Sequence, residues 1–123
     1  MFELKVVTRF AAAHQLTMVA QKCENLHGHN WKIEVCVAGH KLDKAGVLVD
    51  FGIIKKDVRA IMETLDHKFL NELDQFKELQ PSSENIGIYV AEELQKTLDE
   101  KIWVSRVHVW ESDDSCATYI PQQ

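Results

Sequence analysis

The sequence predicts an α+β fold in which two helices cover one face of a four-stranded antiparallel sheet, in the order ββααββ. Three observations carry that expectation. Apolar side chains alternate with polar ones near both ends of the chain, two apolar stripes at helical spacing occupy the middle, and 123 residues suit a single domain over 1–123. Two amphipathic helices must bury their stripes, and a sheet with one apolar face accepts them.

Each element has its own signal. Over residues 2–10, Phe2, Leu4, Val6 and Phe10 share one parity while Glu3, Lys5 and Arg9 take the other, the pattern of a half-buried strand. The signal returns over 27–38, where Trp31, Ile33, Val35 and Val37 alternate with Lys32 and Glu34. GHKLDKAG then supplies turn chemistry, and Val47, Leu48 and Val49 read as a short return strand closing a hairpin. From Asp50, a suitable N-cap, the period becomes helical: Phe51, Ile54, Val58, Ile61 and Leu65 form one stripe. Residues 68–81 are polar and irregular. Pro81 opens a second helix capped by Ser82 or Ser83, with Ile86, Val90, Leu94 and Leu98 four apart. Residues 102–111 read as a strand with Trp103, Val107 and Val109 on one parity, and 115–120 as another after the turn SDDS. The second sheet face carries Lys32, Glu34, Arg106 and His108. Two free sheet edges invite pairing with further copies, so a homo-oligomer is expected.

Fourteen Lys and Arg against nineteen Asp and Glu give a net charge of −5, and 46% of residues are hydrophobic. That composition excludes a disordered chain and argues against a nucleic-acid partner, whose affinity would need clustered cations. No apolar run approaches the roughly 18 residues that span a bilayer, and MFELKVVTRF lacks the form of a secretory signal. A cytoplasmic location with no membrane partner is expected. Cys23, Cys36 and Cys116 are odd in number and lack CxxC spacing, which fits neither a disulfide framework nor a Cys-rich zinc knuckle.

The histidines are more informative. His27 and His29 lie two apart on a strand, so both side chains leave the helix-packed face, and His14 continues the inward parity of the first strand. Three imidazoles without a fourth protein ligand are the pattern of a catalytic zinc site, whose open position takes water or substrate. An isolated HxH is more often an ordinary polar pair; His14 and the nearby Cys23 shift the balance toward metal. Cys23 has two readings, a small buried hydrophobe or, beside a cation, a thiolate competent as a base. Asp66-His67 at the end of the first helix also has two, a cation complementing the helix dipole or a catalytic pair. Glu111 ends a strand on the apolar parity and so requires a partner or ligand. His40 and His108 read as structural or solvated, Cys36 and Cys116 as packing residues.

The runs FAAAH at 10–14, CENLHGHN at 23–30, GVLVDFG at 46–52, LDHKFLN at 65–71 and PSSENI at 81–86, with a strand ending in Glu111, resemble the 6-pyruvoyltetrahydropterin and 6-carboxytetrahydropterin synthase family over nearly the whole chain. CxxxHGH preceded by AAH and followed by LDH is the specific combination. The resemblance implies the tunnelling fold, in which trimers close their sheets into a twelve-stranded barrel and two trimers stack, with active sites at subunit interfaces. It implies zinc on His14, His27 and His29, proton transfer by Cys23, Asp66 and His67, and a pterin ring held by Glu111. Where the family usually has Pro-Thr this chain has Pro81-Ser82, which keeps the hydroxyl. The implied substrate is 7,8-dihydroneopterin triphosphate. The compact chain leans toward the bacterial carboxy enzyme of the queuosine route, which releases acetaldehyde and triphosphate; the alternative is the pyruvoyl branch of the tetrahydrobiopterin route. A zinc-stabilised, non-catalytic interaction module is the alternative of another class, and it requires a closed four-ligand site.

Overall fold

A computed structural model describes residues 1–16 and 26–122. The two helices and their α+β arrangement appear as expected, on a sheet of five strands ordered β3-β1-β2-β4-β5. The elements are β1 (Phe2–His14), β2 (His27–Gly39), α1 (Phe51–Glu63), β3 (Lys68–Phe69), α2 (Ser83–Gln95), β4 (Trp103–Ser112) and β5 (Ser115–Tyr119). Among the described residues, no helix is long and apolar enough to cross a membrane.

β1 and β2 pair without a break from Phe2↔Gly39 to His14↔His27, so their last and first residues face each other at one end of the sheet. Helix α1 packs on β1, and α2 on β4 and β5. Asp50 caps α1 by accepting from the Gly52 amide at 2.7 Å, and Ser82 caps α2 through the Asn85 amide at 3.1 Å. Ile54, Val58, Ile61 and Leu65 of the first stripe are buried, as are Ile86, Val90 and Leu94 of the second, against Val35, Val107 and Val109 of the sheet. Phe51, at the head of the first stripe, stays exposed.

Three strand expectations are corrected. Val47 to Val49 form no return strand, because both sides of β2 are already taken by β1 and β4. The segment folds instead into a turn in which Asp43 Oδ1 accepts from the Ala45 and Val47 amides, with Gly46 at a φ of 79°. The fifth strand, β3, is only two residues long and runs parallel to β1 at Ala12 and Ala13. Trp103 is not on the core parity of β4: the ladder passes from Cys36↔Arg106 to Val37↔Val104, skipping Ser105, and this bulge turns Val104 inward. Cys36 is buried as expected, whereas Cys116 is exposed on the edge strand β5 and packs against no core.

The helix-free face is held by ion pairs. Lys5 meets Glu34 at 3.3 Å and Arg106 meets Glu3 at 3.2 Å. Trp110 Nε1 donates to Glu34 at 2.6 Å, and Ser105 Oγ donates to Glu3 at 2.6 Å. His108 is hydrogen-bonded to Thr118 at 2.8 Å, in keeping with a structural role, while His40 is exposed beside the Trp103 ring.

Candidate functional site

At the end of the sheet where β1 stops and β2 starts, inward parity puts imidazoles where the preceding rows carry apolar side chains. His14 is 2% exposed. Its Nδ1 lies 2.8 Å from the carbonyl oxygen of Pro81, the residue just before the α2 cap. A carbonyl only accepts, so Nδ1 carries the hydrogen, which leaves Nε2 as the ring nitrogen that faces the site and can act as a ligand. An outer partner that fixes the tautomer in this way is the usual companion of a metal-binding histidine.

His29 Nε2 lies 3.2 Å from Glu111 Oε1, and His14 Nε2 lies 3.9 Å from the same oxygen. Glu111 Oε2 accepts from Ser83 Oγ at 3.2 Å, which ties the carboxylate to the first turn of α2, where the helix dipole favours negative charge. One ligand atom each from His14, His29 and Glu111 lie within 4.8 Å of one another, so a metal ion fits this group. Its donor chemistry, imidazole nitrogen with a carboxylate and no sulfur, suits zinc or another first-row divalent ion.

Trp31 forms the floor. Its ring stands edge-on to His14 and His29, at centroid distances of 5.0 and 5.3 Å, and its Nε1 donates to the Ala12 carbonyl at 3.3 Å. Asn71 fixes the chain just past His14, accepting from the Gln15 amide at 2.8 Å and donating to its carbonyl at 2.7 Å.

Of the histidines expected to share a metal, the structure brings His14 and His29 together. His27 is exposed, its ring stacked on His29 at 5.8 Å, and its ligand atoms lie outside the close group. The reason is positional: His27 is the first residue of β2, one strand repeat beyond His29 and farther from the core. Cys23 lies outside the described residues.

Asp66 and His67 form a second unit. Helix α1 ends at Glu63, so His67 is beyond its last turn and the helix-dipole reading does not apply. Asp66 Oδ1 accepts from the Ala11 amide at 2.8 Å, and the His67 amide donates to the Ala11 carbonyl at 2.6 Å. These bonds dock the segment on β1 three residues before His14. The Ala11 amide, aided by His67, holds the Asp66 carboxyl below the ordinary aspartate range. His67 has a φ of 59°, a conformation rarely adopted outside glycine, and its Nδ1 is 3.0 Å from Asp66 Oδ2. Its ring is otherwise exposed.

Three contributors to the site carried no site role in the sequence: Ser83, read there only as a possible helix cap, Asn71 and the Pro81 carbonyl. The first two carried a faint signal, being polar residues inside the recognised runs PSSENI and LDHKFLN. The carbonyl carried none, because every residue has one.

A family model described as 6-pyruvoyl tetrahydropterin synthase matches residues 3–122. A dihydroneopterin monophosphate aldolase of Pyrococcus furiosus is 33% identical over 105 residues, covering 85% of each chain. A 6-carboxy-5,6,7,8-tetrahydropterin synthase of Bacillus subtilis is 31% identical over 130 residues, covering 99% of this chain and 87% of its own. The structure of Caenorhabditis elegans 6-pyruvoyl tetrahydropterin synthase superposes with a TM-score of 0.85 at 26% identity, over 98% of this chain and 96% of that one.

Proposed function

The chain belongs to the 6-pyruvoyl tetrahydropterin synthase family, and we propose that within it the protein is a zinc-dependent lyase. It converts 7,8-dihydroneopterin triphosphate and one water to 6-carboxy-5,6,7,8-tetrahydropterin, acetaldehyde and triphosphate. The observation that carries this reading is the convergence of His14 Nε2 and His29 Nε2 on the Glu111 carboxylate, with the His14 tautomer set by Pro81.

His14 and His29 would hold the zinc, and His27, stacked beside His29, would be the third imidazole. Zinc bound there supplies Lewis-acid polarisation of the substrate side-chain oxygens. Glu111, held by Ser83, presents acceptor oxygens for the amino and ring N–H groups of a pterin. Cys23, four residues ahead of His27, is the base that takes a proton from the side chain. Asp66 accepts from His67 Nδ1, which leaves the outward-facing Nε2 of His67 to carry a proton to or from the substrate. Ion pairs on the helix-free face play no part in these steps.

Two sheet edges support an oligomer of three or six copies with sites at the boundaries. β3 covers β1 only at Ala12 and Ala13, and β5 forms the opposite edge. Among the described residues Cys36 and Cys116 are free thiols, which suits the reducing cytoplasmic setting expected of the queuosine-route enzyme.

The pyruvoyl branch is the second reading, favoured by the fold match to the worm enzyme. Incubating zinc-loaded protein with 7,8-dihydroneopterin triphosphate and identifying products by mass spectrometry separates the two. 6-Carboxytetrahydropterin with acetaldehyde is expected; 6-pyruvoyltetrahydropterin alone selects the second branch, and unchanged substrate overturns both.

A further inference from the structure

We propose that Arg9 and Lys32 form a phosphate-binding site on the helix-free face of the sheet. The two residues are direct cross-strand partners in the β1–β2 ladder, so two cations stand side by side on one face. Like charges in that position destabilise a sheet unless an anion lies between them. Elsewhere on this face Lys5 has a carboxylate in Glu34 and Arg106 has one in Glu3. Among the described residues, neither Arg9 nor Lys32 has one within ion-pair distance. Glu34 is already engaged by Lys5 and by Trp110 Nε1, and it senses Lys32 only as a more distant charge.

Lys32 is also held in place. Its ammonium lies 5.7 Å from the centroid of Trp110, the next residue across the ladder, and that ring is fixed by its bond to Glu34. On the β4 side of Lys32 a hollow of about 110 Å³ is lined by Asn30, Lys32, Trp110, Ser112 and Asp113, while Arg9 flanks Lys32 from the β1 side, outside that lining. Asn30 offers a neutral donor, whereas the Ser112 hydroxyl already donates to Asp114 at 2.8 Å. Asp113 leaves the pair a net single positive charge, enough for a small oxyanion and insufficient for a long acidic segment. Room is short for a pterin ring system, so the chemistry recognised is the phosphoryl group itself. Its source is either free inorganic phosphate or triphosphate, or the polyphosphate tail of the pterin substrate; only the second source rests on the lyase reading above.

Calorimetric titration of inorganic triphosphate and phosphate into the full-length protein tests the site without turnover. Arg9→Gln and Lys32→Gln are each expected to weaken triphosphate binding roughly 10-fold or more. Arg9→Glu turns the like-charge pair into an opposite-charge one, so binding should be lost while the melting temperature rises. A structural role alone would not move the two readouts in opposite directions. An equal rise in KM for dihydroneopterin triphosphate at unchanged kcat in the Gln variants assigns the site to the substrate tail. An unchanged KM assigns it to free phosphate. If wild-type protein binds triphosphate but turns nothing over, the lyase reading falls and the site stands. Affinities in both Gln variants equal to wild type, or no binding by wild type, would overturn the proposal.

Discussion

Two ends of one sheet face follow the same rule with opposite results. From Phe10 and Trp31 toward the middle of the sheet, inward parity delivers Val6, Ile33 and Val35, all buried and satisfied by contact with the helices. From the same two residues toward the other end, it delivers Ala12, His14 and His29. An aliphatic row needs only neighbours, whereas a buried imidazole needs a partner for each nitrogen. The structure supplies those partners from outside β1 and β2: the Pro81 carbonyl and, positioned by Ser83, the β4 residue Glu111. The comparison teaches that the site is a continuation of the core in which hydrogen-bond partners replace packing partners.

The largest effect should come from removing that polar end. His14→Ala or His29→Ala is expected to abolish bound zinc and with it turnover, measured by elemental analysis and product formation. The same analysis on His27→Ala tells whether the exposed imidazole joins the other two; retained zinc would leave Glu111 as the third ligand. Next comes Cys23→Ala, expected to keep its zinc and lose roughly 10² to 10⁴-fold in kcat. Zinc lost in step with activity would make Cys23 a ligand instead.

At the boundary between the two regions, Trp31→Ala should cost about 3 to 5 kcal/mol of stability by urea denaturation. It should also loosen His14 and His29, whose rings rest on the indole. An aliphatic row would show only the first effect.

A smaller effect concerns acid. Because the Asp66 carboxyl is held below its ordinary range by the Ala11 amide, the tie it makes is fully present above the unfolded pKa of about 4 and is lost as pH falls through the lowered folded value. Protection of the Ala11 amide against hydrogen exchange, relative to its intrinsic rate, should therefore be kept at about pH 4 in wild type and be lost as pH falls through the lowered Asp66 value. In Asp66→Asn it should show no such step. Smallest of all, Ser82→Ala should cost about 1 kcal/mol through loss of the α2 cap, with zinc content unchanged.

The apolar half of this comparison was the more legible in the sequence. Alternation and helical stripes placed β1, β2, α1, α2 and β4, because each residue's face follows from its own position. What alternation could not foresee was a matter of competition between segments. The 47–49 strand failed because β2 had no side left to pair, and Trp103 changed face because of a bulge that only the β2–β4 register reveals. In the site, parity carried His14, His29 and Glu111 to one place. It could not show that His27 sits a row farther out, or that Asp66 would reach the Ala11 amide, since both depend on where the chain turns. The backbone partner of His14 had no sequence signal at all.

The most direct measurement is a crystal structure of the zinc-loaded protein with the metal located by anomalous scattering. A single site at about 2.0 to 2.1 Å from Nε2 of His14 and His29, completed by the His27 imidazole and with one position open toward Glu111, is the result this account predicts. A site closed by four protein ligands, or no zinc between these two imidazoles, would contradict it and return the protein to a structural reading.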